Sequence, residues 1–318
     1  PNAHEMDVML SIVGREDTSG NIIMNAVEVM KDIAIKEMNL SPDDINMDAT
    51  STGSYQEAVA NVNIDLSFSV NEFTNSKKLL EEIAQSTFCL PYLSSTGILN
   101  FAVIKNQYSY DNYQKSLEIK AMDIIESTFL KTPSDKLCTK CKVMYWYDYP
   151  TKKFMKNADS ASPGGEEIFL HESELSYYGH SDVDESLLKF ESKYIRDGDS
   201  AVTLRNQLFR YNKNQHLITK LILPLRYAEL QIGSIIKFDK LIHKQRAYGI
   251  DYTQVTNPTK IWIDDSISTA GQFYYPLFFV TSIKIDLKGI TIEAVQLHEL
   301  LSNEDVFDFN NWNNASLI

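Results

Sequence analysis

The sequence predicts an α+β fold rich in β-structure, on three observations. Apolar residues recur at helical three- and four-residue spacing in two stretches of the first hundred residues. From Leu117 onward, apolar and charged residues alternate at strand period over most of the chain. A hydrophobic share of 43% supplies a packed core, and 318 residues suffice for one large or two medium domains.

Asn25 opens the first helix, in which Ala26, Val27, Met30, Ile33, Ala34 and Met38 share a face. Glu28 stands three residues beyond Asn25, as in a capping box, and Pro42 bars continuation. The alternation over 62–70 predicts a strand. A second helix starts at Asn75 or Ser76 and carries Leu79, Leu80, Ile83 and Ala84 on one side. Two short strands follow, around 88–92 and 98–104, joined by Ser94-Ser95-Thr96-Gly97.

Beyond residue 116 the pattern is mostly β, which divides the chain into a mixed α/β domain, 1–115, and a β-rich domain, 116–318. Leu117, Ile119 and Ala121 alternate with charged neighbours. Over 137–149 a strand places Cys141, Val143, Tyr145 and Tyr147 on one face, Met144 and Trp146 on the other. Residues 156–200 contain Ser162-Pro163-Gly164-Gly165 and many acids, and read as a long loop excursion. A third helix over 200–211 turns Ala201, Leu204, Leu208 and Tyr211 inward, with Asp199 or Ser200 as cap. Strands follow at 217–225 and 231–238. The last clear unit is a hairpin: Phe279, Thr281, Ile283, Ile285 and Leu287 alternate, Lys288-Gly289 turns, and Ile290, Ile292 and Ala294 alternate back. The segment after Glu304 is rich in Asn and Asp and is expected to pack loosely. No internal repeat of fixed period is present.

The formal net charge is -13. A protein built to grip DNA phosphates shows the opposite balance. The acids suit solubility, or a surface that repels nucleic acid. Three cysteines, Cys89, Cys138 and Cys141, are too few and too odd in number for a disulfide framework. Cys138-Thr139-Lys140-Cys141 has the spacing of a metal or redox pair, but no second pair exists, and a strand would point the two to opposite faces. No window of about 18 uninterrupted apolar residues marks a membrane span. The opening Pro1-Asn2-Ala3-His4-Glu5-Met6 lacks the basic and apolar regions of a signal peptide. It also lacks a starting Met, which fits removal of an initiator or a start inside a longer product.

Catalytic motifs do not emerge. None of His4, His171, His180, His216, His243 and His298 belongs to an HExxH pair, and no nucleophile elbow, Walker loop or GxGxxG fingerprint is found. Asp182, Asp184, Glu185, Asp197 and Asp199 offer oxygen ligands for Ca²⁺ but lack EF-hand spacing and its glycine; a solvated loop is the competing reading. Tyr145-Trp146-Tyr147-Asp148-Tyr149 is the most aromatic run. It could stack on sugars or single-stranded bases, or simply pack on both faces of a strand. After Lys142 the run has no basic residue until Lys152.

Several segments, in their order, resemble bacteriophage tail hub proteins, including tail proteins of marine phages. Asn25-Ala-Val-Glu-Val-Met-Lys-Asp-Ile33 resembles the helix that opens their inserted domain. Asn75-Ser-Lys-Lys-Leu-Leu-Glu-Glu-Ile-Ala84 and the stretch from Tyr92 to Phe101 with its Gly97 turn are similar to the helix and hairpin that follow. Lys120-Ala-Met-Asp-Ile-Ile125 and Ser134-Asp-Lys-Leu-Cys-Thr-Lys-Cys-Lys-Val-Met-Tyr145 look like the return strands. Residues 201–211, 217–225 and Leu230-Gln-Ile-Gly-Ser-Ile-Ile-Lys-Phe-Asp239 look like the helix, strand and turn near the hub's end, with Ser234 where many relatives have Asp.

The resemblance implies a tube-like β-barrel or sandwich domain with a mixed α/β inserted domain. It implies a structural virion subunit at the tail tip or baseplate, forming a homotrimer ring that joins the tail tube or distal tail protein to tip, spike or fibre proteins. DNA would pass through that ring without specific binding. Such hubs carry two tube-like domains per subunit, and this chain has clear room for one. The expectation is a non-enzyme with no cofactor, no metal and no catalytic residue, assembled in the host cytoplasm and located in the virion. Two other readings compete: a receptor- or glycan-binding tail-tip protein, motivated by the aromatic run and the acidic loop, and a cell-wall hydrolase, for which no nucleophile is in sight.

Overall fold

The computed structural model describes residues 14–48, 51, 53–70, 73–94, 96–105, 116–133, 137–158, 186–212, 216–238, 246–247, 250–251 and 277–297. It is a mixed α+β, strand-rich fold organised around two main cores.

The first core begins with α1 (Ala26–Lys36). Asn25 caps it, its side-chain oxygen accepting from the Val27 N–H at 2.9 Å, and Ala26, Val27, Met30, Ile33 and Ala34 are buried. The helix stops before Pro42: Asn39 takes a left-handed φ of 57°, a conformation Asn tolerates, and Leu40 N–H returns to Ala34 O at 3.0 Å. Met38 therefore lies beyond the helix and is exposed. A helix not anticipated, α2 (Tyr55–Asn61), follows Ser54, whose hydroxyl accepts from Glu57 N–H at 3.0 Å. Ser54-Tyr55-Gln56-Glu57 carries the capping-box signature in the sequence.

The strand expected over 62–70 does not form a ladder. Val62, Ile64 and Leu66 are buried in alternation, but the backbone bonds go to scattered partners, Leu66 N–H to Met24 O and Ser67 N–H to Tyr194 O, both 2.8 Å. Period two here reflects an extended segment laid over a core. Next, α3 (Ser76–Gln85), capped by Asn75, buries Leu80, Ile83 and Ala84, and β1 (Cys89–Leu93) pairs antiparallel with β2 (Leu99–Val103).

The six-stranded sheet begins with β3 (Leu117–Ile119) and β4 (Glu126–Lys131). Between them Ala121 sits in a 3-10 turn rather than in β3. The chain then leaves this sheet for a second one, β5 (Lys140–Asp148), β6 (Lys153–Ala158) and β7 (Leu187–Glu191), with β5 central, antiparallel to β6 and parallel to β7. The excursion expected over 156–200 is thus shorter at both ends; 159–185 lie outside the described residues. Helix α4 (Gly198–Asn212) packs on β5, with Ala201, Leu204, Leu208 and Phe209 buried. Its cap is Asp197 rather than Asp199 or Ser200: the Asp197 carboxylate accepts from Ser200 N–H at 2.8 Å.

The chain returns to the large sheet through β8 (Leu217–Leu223) and β9 (Ile235–Phe238); β10 (Arg246–Ala247) and β11 (Ile250–Asp251) make a separate two-residue ladder. The final hairpin is β12 (Phe278–Asp286) and β13 (Gly289–Gln296), and the sheet order is β3-β9-β12-β13-β8-β4. The sheet is curled. Phe129 on β4 and Phe238 on β9 meet with ring centroids 5.9 Å apart. Four strand spacings would hold them roughly 19 Å apart in a flat sheet. The concave face holds the second core, including Leu221, Leu223, Ile236, Phe278, Ile290 and Ile292.

The hairpin departs from simple alternation. A register shift between Val280 and Ser282 breaks the pattern, and Ile285 and Leu287 are exposed, whereas Ile290, Ile292 and Ala294 are buried as expected. Asp286 pairs with Gly289, so the turn residues are Leu287 and Lys288. On the convex face the β1–β2 hairpin docks through Ala102, which packs with Leu277, Phe279 and Leu297.

Candidate functional site

The aromatic run lies on β5. Tyr145 faces the first core and is buried, while Trp146 is 37% exposed. Its backbone is unusual: φ is 58°, in the left-handed region, in mid-strand, while the register to β6 continues on both sides, Tyr145 opposite Lys156 and Tyr147 opposite Phe154. The Trp146 N–H donates to Ile195 O at 3.0 Å. A bulky residue with positive φ is a genuine outlier.

Cations gather here from elements distant in sequence. Lys156 Nζ on β6 sits 4.0 Å from the Trp146 ring centroid, and the Arg196 guanidinium, from the segment after β7, 5.3 Å from it. Lys193 Nζ lies 5.3 Å from the Tyr147 ring, which meets Tyr149 and Phe154 edge-on at 5.2 and 5.1 Å. The run alone, bare of basic residues between Lys142 and Lys152, concealed this. Nothing local to 142–152 signals cations that arrive by strand pairing.

The cysteine pair is a core feature. Cys138 precedes β5, where strand alternation does not apply, so both sulfurs enter the first core instead of pointing apart. All three cysteines are free and buried, and burial pushes the Cys141 thiol up to about 12. A thiol held protonated in this way is a poor nucleophile or ligand. Among the described residues, no three His, Cys, Asp or Glu side chains gather as a metal site. Asp182, Asp184 and Glu185 lie outside the described residues, as do His4, His171, His180, His243 and His298.

His216 is structural. It is buried at the foot of β8, with Nδ1 2.8 Å from Gln296 O on β13 and Nε2 2.7 Å from Tyr211 O on α4; the neutral ring donates to one of these carbonyls, according to its tautomer. Burial pushes its pKa below the ordinary value, against the two carbonyls, which pull it up.

Two surfaces of the half-barrel stand out. On β4 and in the segment that leads into it, Leu130, Ile125 and Met122 are 62%, 61% and 86% exposed. On the convex face the lysine of β8 is neutralised, Lys220 Nζ lying 2.9 Å from Glu293. Elsewhere, an apolar groove of about 260 Å³ runs between α1, α3 and β1, lined by Met38, Leu40, Leu80, Leu90 and Leu93 among others. Among the described residues, no helix is long and apolar enough to cross a membrane.

No protein-family model matches the sequence, and no curated protein matches it. Solved structures do. The fold is similar to a chain of the virion of a native gene transfer agent particle, with a TM-score of 0.52 at 8% identity, over 88% of this chain and 49% of that one. A prophage tail protein from Listeria monocytogenes EGD-e aligns at 13% identity and a TM-score of 0.35, over 70% of this chain and 52% of that one. The tail protein from Neisseria meningitidis MC58 aligns at 11% identity and a TM-score of 0.34, over 74% and 59% respectively. This chain spans about half the length of these structures. At such identities the likeness is one of fold.

Proposed function

We propose that the chain is a structural subunit of a phage-like tail, a hub that assembles as a ring of three copies at the junction of tail tube and tip. The observation that carries this reading is the curled six-stranded sheet with two unclosed ends. β3 and β4 each have one neighbour in the sheet, so each leaves an edge unpaired within the described residues. Open edges with apolar neighbours invite another chain, and exposed apolar residues lie on and just before β4: Leu130 on the strand, Ile125 before it and Met122 in the preceding turn. The fold shared with a virion chain supports the location.

A conduit for DNA should not bind it, since each cation on a phosphate adds a sticking point. A net charge of -13 and the neutralised Lys220 fit such a wall. No cofactor or hydrolytic activity belongs to this reading. Sedimentation of the purified chain tests it: a mass near three times 36.3 kDa is expected, and 36.3 kDa at every concentration overturns the ring.

A further inference from the structure

We propose that Trp146, Lys156, Arg196 and Lys193 form a binding site for an acidic saccharide, a sugar carrying a carboxylate or a phosphate. Four observations converge on this patch. First, the fold holds Trp146 at a φ of 58° in mid-strand and leaves the residue 37% exposed. Strain of this kind persists where the surroundings impose it, and it clusters at ligand sites.

Second, the cations here have no counter-charge among the described residues. Among the described residues Lys156, Lys193 and Arg196 make no ion pair, in a chain where 43 acids outnumber 30 basic residues. The nearby carboxylates are engaged otherwise: Asp197 caps α4, Asp148 accepts from Thr151, and Glu191 pairs with Lys189 at 2.8 Å.

Third, the Arg196 Nε is buried and meets no acceptor among the described residues. A buried guanidinium donor without a partner is rare, and an oxyanion is the group that satisfies it best. Fourth, aromatic surface lies directly beside the cations, with the indole against Lys156 and Arg196 and the Tyr147 ring against Lys193. Aromatic rings with polar neighbours suit a ligand that is apolar on one side and wet on the other, as a sugar ring is.

Size and charge favour a saccharide over a nucleic acid. A strand binder needs a basic groove that follows many phosphates. This patch offers three cations, Lys156, Lys193 and Arg196, beside two rings, so it accommodates one or two anionic groups. The proposal needs only one folded subunit and stands apart from ring assembly.

The test is titration of the full chain, followed by calorimetry, with uronic-acid oligosaccharides, glycerol-phosphate-bearing saccharides, matching neutral oligosaccharides, inorganic phosphate and a short oligothymidylate. Binding of an acidic saccharide without its neutral counterpart is expected, and whichever acidic series binds names the oxyanion. Lys156→Gln and Arg196→Gln should each weaken binding roughly tenfold or more while leaving the melting temperature unchanged. Trp146→Phe, which keeps a ring, should bind better than Trp146→Ala. No acidic saccharide bound, tighter binding of the oligothymidylate, equal binding of inorganic phosphate, or full affinity in both glutamine variants would each overturn the site.

Discussion

Replacing Gly233 by alanine tests how the β1–β2 hairpin is seated on the half-barrel. Gly233 has a φ of +86°, and a Cβ built there would lie 2.5 Å from the Cβ of Ala102. The left-handed backbone costs an L residue about 1–2 kcal/mol. Forcing a methyl into a packed contact adds roughly 1–3 kcal/mol. The structure supplies its own control in Gly97, whose φ is +83° and whose Cβ would meet nothing within 4 Å. Gly97→Ala therefore carries the strain alone, partly offset by about 0.4–1 kcal/mol of lost freedom in the unfolded chain. In urea unfolding, Gly233→Ala should lose about 1–3 kcal/mol more than Gly97→Ala. Adding Ala102→Gly should recover that difference and leave the strain. Equal losses in the two alanine variants, or no recovery in the double variant, would show that the hairpin does not press on Gly233.

Leu204 is fully buried beneath α4. Leu204→Ala should cost about 2–5 kcal/mol in thermal or chemical unfolding, and a variant indistinguishable from the parent would place that face in solvent. Ile125→Asp and Leu130→Asp, both exposed beside the β4 edge, should leave monomer stability within about 0.5 kcal/mol while splitting the ring, which sedimentation would read as a fall in mass. Burial lowers the pKa of His216 in the folded chain, so the folded state holds a proton there less readily than the unfolded one. Below about pH 6.5 the unfolded chain binds more protons, so stability should fall as pH drops, and His216→Gln should flatten part of that slope. Purified protein should not lyse cell walls; lysis abolished by one acidic or His substitution would contradict the structural reading.

The helices and the last hairpin were legible because their signals are local. Asn25 and Asn75 cap helices in the structure as in the pattern, and the apolar faces of α1, α3 and α4 are buried. Errors arose where a local pattern has two physical origins. Alternation over 62–70 marks burial of every second residue, which a strand and a lone extended segment produce alike. Ile285 and Leu287 alternate correctly, but the register shift at Val280 and the length of the hairpin carry them beyond the core. Asp197, Asp199 and Ser200 are all good capping residues within four positions, and only the start of α4 at Gly198 selects Asp197. The site around Trp146 was half visible. Its aromatics are consecutive, whereas Lys156, Lys193 and Arg196 reach them through strand pairing and the segment after β7, a relation that no window along the sequence contains. Curling of the sheet was likewise invisible, since it depends on contacts such as Phe129 with Phe238, more than a hundred residues apart.

The most direct test of the hub reading is an electron-microscopic reconstruction of the tail that places this chain. Three copies related by rotation about the tail axis, at the tip, with the β4 edge of each against its neighbour and no excess of basic residues facing the lumen, are the predicted result. A chain found singly at the tail periphery, away from the axis, would contradict it.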